Sequence, residues 1–282
     1  PEMKKAKIIV HCLVQNEGRF LWYATNSVLP YVDKMMVWDM SSTDGSWEII
    51  QSIKSDKVEI NQVGPGNPEN LTVVRQQMIE ATPKDYTWLM ILDGDEIWPK
   101  KSIKTVTDFA RKHPEYESIV VRTNNLVGDI YHRLPEAAGR YHLAGRVGHL
   151  ALRFMNRKKI GGLHVSLPHG QQGFFDGDDR LIQDRDPKKI KFFDVYYHHT
   201  THLPRSIEKM GDLVIPKRKQ KLKYEIGEKI NQRWIPEIFF GQHPDIVPDV
   251  TGNASVSFWI KSFLLTVPHR IKRSFFLGKH GY

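Results

Sequence analysis

The sequence predicts an α/β fold built on a mostly parallel sheet flanked by helices. Three observations predict it. Short apolar runs alternate with segments of helical spacing through roughly the first hundred residues. These runs are apolar throughout rather than alternating, as strands buried on both faces are. Several of them end abruptly in polar or acidic residues, and open α/β sheets carry their ligands at the carboxyl ends of their strands.

Taken in order, Lys7 to Val14 reads as the first strand. Gly18 to Leu29 has apolar residues at helical spacing, and Pro30 stops it. Met35 to Trp38 is a second buried strand. Ser41-Ser42-Thr43-Asp44-Gly45 is a turn with helix N-cap chemistry leading into Trp47-Glu48-Ile49-Ile50. Val58 to Ile60 is a third strand, Gly64 to Pro68 a loop, and Leu71 to Ala81 a helix. The run Tyr86 to Leu92 is the fourth strand. Beyond Pro99 the pattern loosens into a helix near Ser102 to His113, a strand at Ser118 to Arg122, and short strands among Gly, His, Asp and Pro loops. Phe192 to Tyr197 reads as a late strand. From Pro204 onward charge and helical spacing dominate.

The fourth strand runs straight into Asp93-Gly94-Asp95-Glu96. A buried strand has no ordinary use for three acids at its tip, whereas hard cations such as Mg²⁺ and Mn²⁺ prefer oxygen ligands. An acidic turn is the plain alternative, since Asp-Gly is a common turn pair. The first strand ends in Gln15-Asn16-Glu17 and the second in Asp39. In a parallel sheet these three tips share one edge, and their polar groups converge on one crevice.

Composition bounds the rest. The chain has 282 residues, 40% of them hydrophobic, which suits a globular protein with a sizeable core. The single cysteine, Cys12, sits in an apolar run and reads as a core thiol. It excludes an internal disulfide and a Cys-rich zinc site, and a reducing, cytoplasmic compartment is expected. No run of transmembrane length is expected, and the charged start does not read as a signal peptide. The net charge of +9 points either to solubility or to an anionic partner.

The order and spacing of Val14-Gln15-Asn16-Glu17, Asp39 to Ser46, Arg75 and Leu92-Asp93-Gly94-Asp95-Glu96 resemble glycosyltransferases of family 2, which have the GT-A fold. The Ser-Thr-Asp-Gly core at Ser42 to Gly45 is intact. Met40 and Ser41 stand where the family usually has Asp and Gly, and Val74-Arg75-Gln76 replaces Ala-Arg-Asn. The resemblance covers residues 7 to 98 well and the rest loosely. It implies a UDP- or GDP-sugar donor, a glycan or lipid-linked acceptor, and Mn²⁺ or Mg²⁺ as cofactor. It implies that Asp39 accepts a hydrogen bond from the base, and that Val14, Asn16, Glu17, Asp44 and Gly94 line the nucleotide site. Arg75 would approach the diphosphate, as a guanidinium suits phosphate oxygens, or lie on a solvated helix face. Asp93 and Asp95 would hold the metal, joined by His199 or His202 from the late histidine cluster; those histidines are alternatively loop or acceptor-binding groups.

Many relatives carry His-Glu after an Arg-x-Phe strand. Here Arg153-Phe154-Met155 is followed by His164-Val165, so the usual base is missing. Asp176, Asp178, Asp179 and His164 are the substitutes, the three acids otherwise forming a solvated turn. Lys217 to Lys223 is a basic run that reads as a solvated face or a binding face. The tail from Ser255 holds Phe258, Trp259, Phe263, Leu264, Phe275 and Phe276 beside Lys261, Arg270, Lys272, Arg273 and Lys279, with no acid. That composition suits an interfacial helix on anionic lipid, at the inner face of the membrane, or a tail packed on the body. No nucleic-acid module is recognisable. The expected organisation is a catalytic domain over 1–205, with a nucleotide-binding half (1–98) and an acceptor half (99–205), then a helical basic and aromatic extension over 206–282. A metal-dependent phosphohydrolase and a non-enzymatic basic module binding nucleic acid or acidic polymer are the competing readings.

Overall fold

A computed structural model describes residues 5–168, 172–215 and 218–275. Lys217, Phe276 and Lys279, singled out above, lie outside the described residues.

The chain opens with β1 (Ile8–Val14), α1 (Leu21–Val28), β2 (Lys34–Asp39), α2 (Ser46–Ser52), β3 (Val58–Gln62), α3 (Pro68–Ala81) and β4 (Trp88–Leu92). Every residue of β1 and β4 is buried. Their odd and even positions serve different faces. Ile8, Val10, Cys12 and Val14 join the core under α1, while Ile9 and Leu13 pack with Val74 and Met78 of α3. Only a sheet covered on both sides needs strands apolar on both sides. Local chemistry starts the helices. Gly45 takes φ +87° ahead of α2, a left-handed conformation that suits glycine. Asn67 caps α3 by accepting the Asn70 N–H at 2.7 Å, with Pro68 in the first turn.

After β4 come β5 (Glu96–Ile97), α4 (Lys100–Lys112) and β6 (Ser118–Asn125). Ile103, Val106 and Ala110 give α4 its buried stripe, and Arg111 and Lys112 suit its C-terminal dipole. Then follow β7 (His132–Arg133), β8 (Tyr141–Leu143), β9 (Arg146–Gly148), β10 (Leu150–Asn156), the hairpin β11 (His164–Ser166) and β12 (Gly173–Phe175), and the long β13 (Ile190–His199). The main sheet has eight strands in the order β3-β2-β1-β4-β10-β6-β13-β5. β3, β2, β1 and β4 are parallel, β10 is antiparallel to both its neighbours, and β13 is parallel to β6. This is an α/β fold of the GT-A kind, and the expected strands and helices of the first half are present within a few residues of their expected ends.

The remaining elements are α5 (Lys209–Val214), α6 (Arg218–Lys221), β14 (Glu228–Lys229) and α7 (Val256–Phe275). A C-terminal helix is present, but residues 222 to 255 are largely irregular. Pro236, Pro244 and Pro248 interrupt any helix there. This segment folds back on the sheet: β14 pairs with β7, and the Tyr23 hydroxyl donates to the Pro248 carbonyl at 3.0 Å.

Candidate active site

The parallel register decides the site. Val14 lies opposite Asp39 and Cys12 opposite Leu92, so the tips of β1, β2 and β4 end at one edge. A fourth element joins them. The two-residue β5 pairs with the end of β13, placing His199 opposite Glu96, and the Thr200 N–H donates to the Asp95 carbonyl at 2.9 Å. His199 thereby comes to 3.4 Å from Asp95 Oδ2. The edge opens into a cavity of about 650 Å³, lined by Val14, Glu17, Arg75, Asp93, Gly94, Asp95, His199 and His202 among others.

The glycine between the two aspartates has a steric reason. A Cβ at Gly94 would lie 3.0 Å from Glu17 Cβ and Cγ and from Val14 Cγ1, so the acidic loop rests directly on the tip of β1. Asp93 binds Arg75 Nη2 at 2.9 Å. Burial opposes its charge, but Arg75 and then Arg153 hold the carboxyl below the ordinary range. Glu96 is fully buried, accepts from Arg153 Nε at 2.9 Å and Nη2, and receives the Tyr197 hydroxyl at 2.8 Å. It therefore holds Arg153 in the cavity wall rather than facing the cavity itself.

Two arginines from beyond residue 204 complete the edge. Arg205 Nη1 donates to Asp95 Oδ2 at 2.6 Å and lies 3.2 Å from Glu17 Oε1. Arg218 Nη2 donates to Glu17 Oε1 at 2.5 Å and to the Gln15 carbonyl at 2.9 Å. Burial favours the neutral acid at Asp95, but Arg205 and His199 outweigh it and keep the carboxyl ionised. At Glu17 burial wins over Arg205 and Arg218 and pushes the pKa up to about 7. Arg205 carries no periodic or motif signal in the sequence. Arg218 belongs to the basic run at 217–223, and its side chain is 5% exposed, so that run is folded inward here.

Asn16 and Asp44 do a different job. Asn16, at φ +53°, donates its N–H to Ser42 Oγ and accepts the Thr43 N–H, both at 2.8 Å. Asp44 accepts from the N–H groups of Gly18, Ser46 and Ile207 and from Ser46 Oγ. Both knit the tips together, and neither lines the cavity. The Val14 carbonyl is taken by the Met40 N–H at 2.8 Å. Asp39 is fully buried; its Oδ2 accepts from the Ser42 N–H at 3.0 Å and Gln62 Nε2 at 3.2 Å.

Five buried atoms of the residues described above have no hydrogen-bond partner among the described residues: Glu17 Oε2, Asp39 Oδ1, Arg75 Nη1, Arg205 Nε and Arg218 Nε. Two are carboxylate acceptors and three are guanidinium donors. Buried polar groups are seldom left unpaired, because each costs about 1–3 kcal/mol. A ligand offering oxyanions to the arginines would satisfy the three donors, and an N–H reaching Asp39, which like Asn16 and Asp44 is not part of the cavity lining, would satisfy its Oδ1.

The four candidate bases lie elsewhere. Asp176 is buried, accepts from the Asp178 and Arg180 N–H groups, and pairs with Arg185. Asp178 and Asp179 are exposed, and Asp179 lies 3.2 Å from His164 Nε2. His164 also bonds the Gly162 carbonyl and stacks on Phe175. These contacts brace the β11–β12 hairpin, and none of the four lines the cavity.

His202 Nδ1 lies 2.7 Å from the Lys221 carbonyl, so it carries the proton and Nε2 keeps its lone pair. Among the described residues no group of three or more His, Cys, Asp or Glu side chains converges as a metal cage. Asp95 with His199 still fits an ion such as Mg²⁺ or Mn²⁺ held chiefly by substrate phosphates and water. Arg205 competes for the same Asp95 oxygen.

Comparison with known proteins gives the fold a lineage. The family model described as glycosyl transferase family 2 matches residues 10–166, more than half of the chain. No curated protein matches. Among solved structures, S. aureus TarS 1–349 is 14% identical with a TM-score of 0.44, over 69% of this chain and 60% of that one. Glucosyl-3-phosphoglycerate synthase from Mycobacterium tuberculosis, in complex with Mn²⁺, UDP-glucose and phosphoglyceric acid, is 16% identical with a TM-score of 0.47, over 74% of this chain and 76% of that one. The same synthase with Mg²⁺ and UDP has a TM-score of 0.45 at 16% identity, over 72% and 76%. The chain thus spans about 60% of the TarS fragment it matches. On its family match, the chain belongs to glycosyl transferase family 2.

Proposed function

We propose that the cleft transfers a glycosyl group from a UDP- or GDP-sugar to an acceptor hydroxyl. The observation that carries this reading is the set of unpartnered buried atoms at the strand tips. Asp39 Oδ1 suits the imino N–H of uracil or guanine, and Arg75, Arg205 and Arg218 suit the diphosphate. The acceptor oxygen attacks the anomeric carbon as the bond to the diphosphate oxygen breaks, with inversion, and the hydroxyl proton passes to water in the open cleft. The leaving group departs with the electron pair, and the guanidinium groups stabilise the charge it gains. Mn²⁺ or Mg²⁺ on Asp95 and His199 would supply further charge neutralisation there. Arg153, fixed by Glu96, keeps the wall beside Asp93 in place. Under this reading residues 1–205 form the transferase core, and the segment from 206 contributes Arg218 to it. Isothermal titration with UDP and GDP, with and without Mn²⁺, tests the reading. Binding of either nucleotide is expected, and absence of binding by both, in each condition, overturns it.

We further infer that α7 seats the enzyme on an anionic membrane surface, at the inner face. No helix among the described residues is long and apolar enough to cross a bilayer. Yet α7 turns its apolar residues outward. Phe258 and Trp259 pack on Tyr224 and His132, and Ser262 and Thr266 are buried. Phe263, Leu264 and Val267, on one outward arc with Val256, Ile260 and Ile271, are 74%, 67% and 61% exposed. Lys261 and Arg270 flank that arc, as in interfacial helices. Sedimentation with phosphatidylserine vesicles should capture the protein and not its Phe263→Asp, Leu264→Asp variant. Equal capture of both would remove the helix from this role.

A further inference from the structure

The cavity holds more positive charge than its own acids balance. Four of its arginines share five carboxylates: Arg75 pairs with Asp93, Arg153 with Glu96 and Asp93, Arg205 with Asp95 and Glu17, and Arg218 with Glu17 and Asp212. Three further cations line it, namely Arg140, Lys221 and Lys223. None of the three has a carboxylate within salt-bridge distance among the described residues. Arg140 Nη1 is anchored on the Ala137 carbonyl at 2.8 Å, which fixes the guanidinium without neutralising it. The nearest acid in sequence to Lys223, Glu225, is taken by the Arg273 fork at 2.5 and 2.6 Å.

The three cations are not equivalent. Lys221 feels Asp95, Asp93 and Glu17, so it belongs to the diphosphate end. Lys223 and Arg140 lie by Arg273 instead: Lys223 feels Arg273 and Glu225, and Arg140 Nη2 donates to the Arg273 carbonyl at 3.5 Å. Buried His149 lies near that end: burial first, with Lys223 adding to it, lowers its pKa to about 4, so the imidazole is neutral beside the lysine. An unpaired, partly desolvated ammonium is costly unless an anion arrives to meet it. Under the transferase reading the donor's phosphates meet the orphaned arginine donors at the strand tips, which leaves Lys223 and Arg140 without an anion.

We propose that the acceptor is itself an anion: a hydroxyl compound bearing a phosphate or carboxylate group, held by Lys223 and Arg140 in the same cavity as the donor. This rests on the transferase reading above and deepens it. It also gives the basic run at 217–223 two roles, with Arg218 and Lys221 at the donor and Lys223 at the acceptor.

The test separates the two ends. UDP is first brought to saturation, which fills the diphosphate end, and inorganic phosphate, malonate and glycerol are then titrated by calorimetry. Phosphate or malonate should bind the UDP-loaded protein and glycerol should not. The tighter of the two anions identifies the acceptor's charged group as phosphate or carboxylate. Lys223→Ala and Arg140→Ala should each weaken that binding about tenfold, the loss of one charge-assisted contact. Lys223→Arg should restore it, and thermal unfolding of each variant should match the parent. If neither anion binds the UDP-loaded protein, or if both alanine variants bind as the parent does, the proposal is overturned while the donor reading stands. If UDP does not bind at all, the donor reading falls. Phosphate binding that depends on Lys223 then still supports an anion site, and phosphate binding indifferent to it removes the site.

Discussion

Replacing Asp39 by Asn tests the nucleotide site at its most specific point. Oδ2 of Asp39 accepts two protein donors, the Ser42 N–H and the Gln62 amide, whereas Oδ1 is buried with none. An Asn side chain must keep its oxygen where Oδ2 stood, or it would point an amide at two other donors. Its NH₂ then occupies the Oδ1 position and presents a donor to the base N–H, where the carboxylate presents an acceptor. The loss is one charge-assisted hydrogen bond in a buried setting, about 2 kcal/mol or more. That corresponds to about a thirtyfold weaker affinity for the nucleotide. Since both Oδ2 bonds survive, the fold should be kept. Calorimetric titration of the better-bound of UDP and GDP against parent and variant measures the effect. An N-methylated nucleotide, which lacks the imino N–H, should bind both proteins equally weakly. A folded Asp39→Asn protein that binds the nucleotide as tightly as the parent would refute the assignment of Asp39 to the base.

Three further outcomes follow from the same geometry. Gly94→Ala brings a methyl group to 3.0 Å from Glu17 and Val14, and Glu17 is pinned by Arg218, so overpacking of about 1–3 kcal/mol should appear in urea unfolding; an unchanged midpoint would mean the loop relaxes freely. Glu96→Gln leaves the Arg153 guanidinium without its buried counterion, and stability should drop by about 3 kcal/mol or more; a drop under about 1 kcal/mol would show that Asp93, 3.7 Å away, can replace it. His11 is buried and its Nε2 meets Thr82 Oγ1 at 2.7 Å, with burial lowering its pKa to about 3. The unfolded chain takes up that proton near pH 6.5 and the folded chain does not, so stability is full above that pH and falls as pH drops toward 3. At pH 5 the loss is about 2 kcal/mol from this group. The pH slope of stability should be shallower in His11→Asn by that amount, and an identical slope would exclude His11 as its source.

The sequence by itself determined the sheet, its burial on both faces, and the three strand tips. These follow from local features: the length of apolar runs, the turn with N-cap chemistry at Ser41 to Gly45, and acids placed directly after a strand. Parallel strands joined by helical crossovers point the same way, so their carboxyl ends share one edge. Asp39, Asp93 and Asp95 were legible for that reason, whereas Arg75 was singled out through the family resemblance. What surrounds them was not. Arg218 reaches Glu17 from 201 residues away and Arg205 reaches Asp95 from 110, and no local period encodes such a pairing. His199 was named beside Asp95, with His202 as the alternative, only through the family resemblance; what brings it there is the pairing of β13 with the two-residue β5. Tertiary structure also divided residues that look alike in the sequence. Asn16 and Asp44 bond to backbone, whereas Glu17 and Asp95 face arginines. Asp176 to Asp179 brace a hairpin, and one face of α7 packs while the other stays open. In each case the residue type sets what it can bind, and only the folded chain decides which partner lies within reach.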